Sequence, residues 1–99
     1  MSIIQDKLDK LDNLDKEFNN AIESVKKLQN TPSSEELLKL YGLYKQANFG
    51  ENTTDKPSMF NYRTFKKWLS WTAVSELTKD QAKGEYIKLV NYLIELEGN

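Results

Sequence analysis

The sequence predicts an all-α fold, a small bundle of four helices. Three observations point there. Four stretches carry apolar residues at helical spacing. Ser33 with Glu36, and Thr78 with Gln81, have the three-residue spacing of a helix-initiating capping box. No stretch shows the period-two alternation of a half-buried strand.

The first helix is expected over residues 3–28. Ile4, Leu8, Leu11, Phe18, Ile22, Val25 and Leu28 form its stripe, flanked by Leu14 and Ala21. Asn30-Thr31-Pro32 stops it, because the residue before a proline is pushed out of the α region. The second opens at Ser33, with Glu35 and Glu36 in the dipole-favoured first turn, and ends near Gly50. Its apolar positions are Leu37, Leu40, Tyr41, Tyr44 and Ala47. A loop rich in Asn, Thr, Asp, Pro and Ser follows over 50–61, long enough to join distant helix ends. The third helix, 63–74, carries Phe65, Trp68, Leu69 and Trp71. The fourth starts at Thr78, carries Ala82, Tyr86, Leu89, Val90 and Leu93, and stops at Gly98. Gly84 inside it costs about 1 kcal/mol relative to alanine, whether or not it serves close packing.

Ninety-nine residues suit one domain with its own core. No apolar run approaches the roughly 20 residues that cross a bilayer, and no secretory leader is legible, so a cytoplasmic protein without stable membrane insertion is expected. The net charge of −1 hides an asymmetry. Acids outnumber lysines over 1–17, whereas 39–67 sets Lys39, Lys45, Lys56, Arg63, Lys66 and Lys67 against Glu51 and Asp55 alone. A local cationic patch on a nearly neutral chain suits a compact anion such as a nucleotide or phosphate. A nucleic-acid partner is not expected, because such binders usually carry a large positive excess.

Chemistry is scarce. With no histidine and no cysteine, the usual nucleophilic triads and thiolate metal sites are impossible. Glu35-Glu36 reads as helix-start acids, and four glycines make no phosphate-cradling loop. No catalytic residue, metal site or cofactor is expected, and the chain reads as a binder rather than an enzyme. Tyr41 and Lys45 share a face of helix two, with Tyr44 beside them. Lysines and tyrosine hydroxyls suit phosphate, and an aromatic ring suits a purine face. Each also has a plain reading, as a solvated lysine or a half-buried core tyrosine, and Trp68 and Trp71 read as core.

The arrangement resembles the acyl-CoA-binding protein family over residues 18–96. Phe18, Val25-Lys26, Leu28, Pro32, Leu40-Tyr41-Gly42-Leu43-Tyr44-Lys45-Gln46-Ala47, Gly50, Thr54-Asp55-Lys56-Pro57, Lys67-Trp68-Leu69-Ser70-Trp71, Ala82 and Tyr86 carry the likeness. The resemblance implies an up-down-down-up bundle holding the coenzyme A thioester of a fatty acid. It puts the headgroup on Lys26, Tyr41, Lys45, Lys67 and Tyr86, the lysines on phosphates and the tyrosines near adenosine. It puts the acyl chain along Ala21, Ile22, Leu37 and Leu38, with Tyr44 and Arg63 at the edge and Trp68 packed near the chain and the core. The implied function is a monomeric carrier and pool former for medium- and long-chain acyl-CoA. Ile22 is bulkier than the small residue common there, which narrows the groove. Residues 1–17 extend past the family's usual start, giving a helical extension (1–17) and an acyl-CoA-binding domain (18–97). The alternative is a protein-interaction module that uses the apolar stripe of that extension.

Overall fold

The computed structural model describes residues 3–98, so the first two residues of the expected extension lie outside it. Four helices follow one another: α1 (Ile3–Val25), α2 (Ser34–Phe49), α3 (Tyr62–Thr72) and α4 (Lys79–Glu97). Both capping boxes form. Ser33 Oγ accepts from the Glu36 amide while Glu36 Oε1 accepts from the Ser33 amide, and Thr78 and Gln81 repeat the exchange before α4.

Two helix ends fall short of the sequence expectation. α1 stops at Val25, not Leu28, because the chain tightens into three-residue turns at Ser24 and Val25. The Gln29 and Asn30 amides then donate to the Glu97 carboxylate, tying this corner to the end of α4. α3 stops at Thr72, not Val74, for the same reason: Val74 and Ser75 donate to Trp71 and Thr72. Leu28 and Val74 still pack against the core from these turns.

Cross-links between elements set the topology. Lys83 meets Asp15, and Gln29 meets Glu97, so α1 and α4 run parallel. Lys67 sits over the Tyr41 ring and Lys45 over Trp71, so α2 and α3 also run parallel. Gln46 on the last turns of α2 bonds to Leu77, ahead of α4, and Glu36 near the start of α2 lines a hollow with Leu93 and Leu96, so those two run antiparallel. The result is an up-down-down-up bundle in which α4 packs on α1 and α2, and α2 also packs on α3.

The core holds Phe18 and Ala21 of α1, Leu40, Leu43 and Ala47 of α2, and Ala82, Tyr86, Val90 and Leu93 of α4. Leu43 is buried although it falls outside the expected stripe of α2, whereas Leu37 and Tyr44, inside that stripe, are exposed. A helix clamped between two neighbours needs a wider apolar arc than one that meets a single face. Gln46 is the buried polar residue, 2 % exposed. Its amide nitrogen donates to the Leu77 carbonyl at 2.8 Å and so fixes the approach to α4.

α2 and α3 approach closely at Gly42. A Cβ there would lie 2.3 Å from the Ser70 carbonyl oxygen, which is backbone and cannot swing away. At Gly84 a Cβ would meet nothing within 4 Å, so that glycine serves no packing role.

α1 outruns its partner. By the Asp15–Lys83 register, Leu11 is level with the start of α4, so the residues before it project about 12 Å at 1.5 Å per residue. Ile3, Ile4, Leu8 and Leu11 are exposed there, and only the later part of the predicted stripe is buried.

The two glycines separate cleanly in experiment. Gly42→Ala should destabilise the fold by roughly 1–3 kcal/mol through overpacking. Gly84→Ala should stabilise it by about 0.5–1 kcal/mol through helix propensity. Urea unfolding of both variants checks the opposite signs.

Candidate functional site

A cleft of about 680 Å³ opens between the first halves of α2 and α3. Leu37, Leu38 and Tyr41 line it from α2, and Tyr62, Arg63, Lys66 and Lys67 from α3, with Ser34 and Glu35 at the α2 start. Because the two helices are parallel, positions advance along both walls together. Leu37 and Leu38 bring apolar side chains to one end, level with Arg63; Tyr41 with Lys67, then Lys45 one turn further on α2, make a cationic end.

The lysines are held by rings. Lys67 Nζ lies 4.7 Å from the centre of the Tyr41 ring. Lys45 Nζ lies 4.5 Å from the Phe49 ring and 5.0 Å from Trp71. Lys66 stands over Tyr62 in the same way. Among the described residues, none of Lys45, Arg63, Lys66 or Lys67 forms an ion pair with a carboxylate. A ring face orients an ammonium for about 0.5–1 kcal/mol at an exposed site and leaves its charge uncancelled. The positive field of the cleft therefore stays available to an anion.

The α3 wall is anchored through its tryptophans. Trp71 Nε1 donates to the Gly50 carbonyl at 2.8 Å, and Trp68 Nε1 to the Thr54 carbonyl at 3.1 Å. Gly50 closes α2 at φ 76°, a left-handed value that favours glycine. The indoles thus pin the start of the 50–61 loop onto α3; of the two tryptophans read as core, Trp71 is buried and Trp68 is only half-buried.

The other residues named from the sequence lie elsewhere. Tyr86 is buried at 4 % exposure, its ring edge-on to Phe18 and tilted against Tyr44. Burial first, and the neighbouring Tyr44 second, push its phenol above the ordinary value of 10.0. It therefore stays protonated at neutral pH, as an O–H donor. Tyr44 is exposed and stacks on Phe18. Lys26 follows the end of α1, is 64 % exposed, and pairs with Glu23 at 2.9 Å. Ala21 is buried and Ile22 packs against the core, on the α1 side of the bundle. The structure thus gathers Leu37, Leu38, Tyr41, Arg63 and Lys67 in one cleft, with Lys45 adjoining. It does not bring Ala21, Ile22, Lys26, Tyr44 or Tyr86 to the cleft's lining. Sequence reasoning missed Tyr62 and Lys66 as lining residues. Their one available signal was the spacing from Lys67 and Arg63 on a short helix.

A sequence model described as Acyl CoA binding protein matches residues 15–90. The chain belongs to the acyl-CoA-binding protein family. It is 48 % identical over 77 residues to acyl-CoA-binding protein homolog 1 of Caenorhabditis elegans, covering 78 % of this chain and 90 % of that one. The acyl-CoA-binding protein of Brassica napus is 45 % identical over 87 % of this chain and 94 % of its own length. The crystal structure of Oryza sativa acyl-CoA-binding protein 2 superposes with a TM-score of 0.84 at 41 % identity, covering 88 % of this chain and 95 % of that one. The match of the family model begins at residue 15, so the whole projecting part of α1 precedes it.

The raised Tyr86 value has a stability consequence with a definite sign. The folded state holds that proton more tightly than the unfolded chain. Its contribution is complete below pH 10 and is lost as pH rises from 10 through the higher folded value. Tyr86→Phe has no such proton to lose. Urea unfolding across that range should therefore show a steeper loss of stability for the wild type than for the variant.

Proposed function

We propose that this chain binds medium- and long-chain fatty acyl-CoA esters and carries them as a monomeric, cytoplasmic, non-enzymatic protein. The make-up of the cleft carries the reading: leucines toward one end, with Arg63 at their edge, and ring-held lysines that pair with no carboxylate toward the other. An acyl-CoA has the same polarity. Its thioester chain is apolar and its other end bears phosphates and a purine.

The two ends contribute differently. Each CH₂ moved from water onto Leu37 and Leu38 contributes about 0.8 kcal/mol, so a 16-carbon chain offers on the order of 10 kcal/mol before the costs of association. Lys45, Lys67 and Lys26 meet the phosphates, and the first two pay little to switch partners because no carboxylate must be displaced. Lys26 must leave Glu23, an exposed pair worth little to begin with. Tyr41 offers its ring to the adenine and its hydroxyl to a phosphate, and Tyr86 offers its O–H donor. Ala21, Ile22 and Tyr44 bound the acyl chain on the α1 side, and Arg63 closes the edge. Residues 18–97 make up the binding domain and 1–17 an extension outside it.

Calorimetric titration with palmitoyl-CoA tests the reading, with palmitate and free CoA as controls. Tight 1:1 binding of the thioester alone is expected, with no CoA released on incubation. Lys45→Ala combined with Tyr41→Phe should weaken binding by at least the roughly 1.5–3 kcal/mol of one charged hydrogen bond. An unchanged affinity in that double variant would sink the site.

Deleting residues 1–13 should leave palmitoyl-CoA affinity unchanged. Light scattering on the same pair checks the alternative, in which the exposed stripe of α1 recruits a partner: a dimer of the full chain lost on deletion would favour it.

A further inference from the structure

We infer that Phe49 is a positioning residue for Lys45, holding its ammonium where a phosphate of the ligand meets it. The inference rests on the acyl-CoA reading and adds a residue to it. Phe49 is the last residue of α2 and is 62 % exposed. A phenylalanine that open contributes little to a core, and a single exposed apolar residue is ordinary by itself. What sets this one apart is the charge on its face. Lys45 stands four residues earlier, so the two side chains share one side of the helix. Lys45 Nζ lies 4.5 Å from the centre of the Phe49 ring.

A second ring completes a notch. Trp71 lies 5.0 Å from the same Nζ, and the centres of the two rings are 6.3 Å apart at an angle of 54°. One ring leaves a lysine free to slide and pivot over its face. Two tilted rings confine the ammonium to the region that both attract. Among the described residues Lys45 has no ion pair that would pull it elsewhere.

The rings differ in what else explains them. Trp71 is buried and donates its indole N–H to the Gly50 carbonyl, so the core and the loop both use it. Phe49 has no such burial. Its backbone is nevertheless held firmly. The Gly50 amide donates to the Gln46 carbonyl at 2.9 Å, and Asn48 Nδ2 donates to the Tyr44 carbonyl at 2.8 Å. The last turn of α2 thus presents the ring from a fixed place, beside the carbonyl that Trp71 holds.

The arrangement favours capture of an anion. An ammonium already confined loses less freedom when a phosphate arrives, and with three N–H donors it can turn one outward while it faces the rings. Phe49 acts through Lys45 and needs no contact with the ligand.

Titration of Phe49→Leu with two thioesters tests this. Palmitoyl-CoA affinity should fall roughly two- to fivefold, the scale of one exposed ring–ammonium contact. Palmitoyl-pantetheine, which has the same tail and thioester but no phosphate, should bind the variant and the wild type equally. Phe49→Tyr should restore palmitoyl-CoA affinity, and in a Lys45→Ala background Phe49→Leu should cost nothing further. Unchanged palmitoyl-CoA affinity overturns the inference. So does an equal loss for both esters, or a loss that persists without Lys45, since either gives Phe49 a direct or structural role. Proton NMR of the ligand-free protein supplies the second readout: the Lys45 Cε protons should be shifted upfield by ring currents, and less so in Phe49→Leu. A wild type that binds palmitoyl-CoA without that shift keeps the carrier reading and removes the role of Phe49. A wild type that shows the shift but binds no palmitoyl-CoA removes the carrier reading and this role with it.

Discussion

The approach of α2 to α3 at Gly42 is the constraint on which the cleft depends. With no Cβ at that position, the Ser70 carbonyl comes within contact of the α2 backbone. One residue before Gly42 stands Tyr41, and one turn before Trp71 stands Lys67. This close approach thus helps to set the distance between the ring and the ammonium that form the cationic end. A side chain at position 42 would push the walls apart where separation matters most, because a backbone carbonyl cannot rotate out of the way. The indole anchors of Trp68 and Trp71 act in the same direction, holding the start of the 50–61 loop against α3.

Given walls at that spacing, the cations face a choice of partners, and the structure resolves it with rings. Around the cleft Lys45, Lys66 and Lys67 each lie over an aromatic face, while the lysines that pair with carboxylates, Lys26, Lys83 and Lys88, lie outside the cleft's lining. A carboxylate partner would neutralise the field and have to be displaced by an incoming phosphate. A ring partner limits the rotamer freedom of the lysine, and so part of its ordering cost, without cancelling its charge. Preorganisation here comes from quadrupoles rather than counter-ions.

Much of this was legible in the sequence, and the gaps have identifiable causes. The capping boxes at Ser33 and Thr78 placed two helix starts to the residue, because both members of each pair are local. The ends of α1 and α3 were misread by two or three residues, because apolar periodicity runs on through Leu28 and Val74 into turns that still bury those side chains. Leu43 was missed as core, since a stripe drawn for one neighbour does not cover a helix packed against two. Of the cleft residues, Tyr41 was reached from the face it shares with Lys45, and Leu37, Leu38, Arg63 and Lys67 through likeness to a family. Tyr62 and Lys66 were missed because only their spacing from Arg63 and Lys67 on α3 pointed to the cleft, and periodicity does not say which face of a short helix lines it. That the lysines stand over rings is likewise invisible until the helices are placed.

The projecting part of α1 shows how far such a design can be extended without touching the site. Phe18, Ile22 and Val25 bury the apolar seam of α1, and the same seam continues through Leu11, Leu8 and Ile4 into solvent. Nothing in α1 stops at residue 11. What stops is its parallel partner: the Thr78 box starts α4 there, and the chain ahead of it turns away to reach α3. Exposure of the stripe therefore follows from the length of α4 rather than from any break in α1. Asp6 with Lys10 and Asp12 with Lys16 sit at the four-residue spacing that supports a solvated helix by a few tenths of a kcal/mol per pair. Since α1 packs on α4, while the cleft lies between α2 and α3, the extension is mechanically separate from the walls. Residues there can change in length or character under constraints of their own, set by solubility and by whatever meets the stripe, while Gly42 continues to hold the cleft.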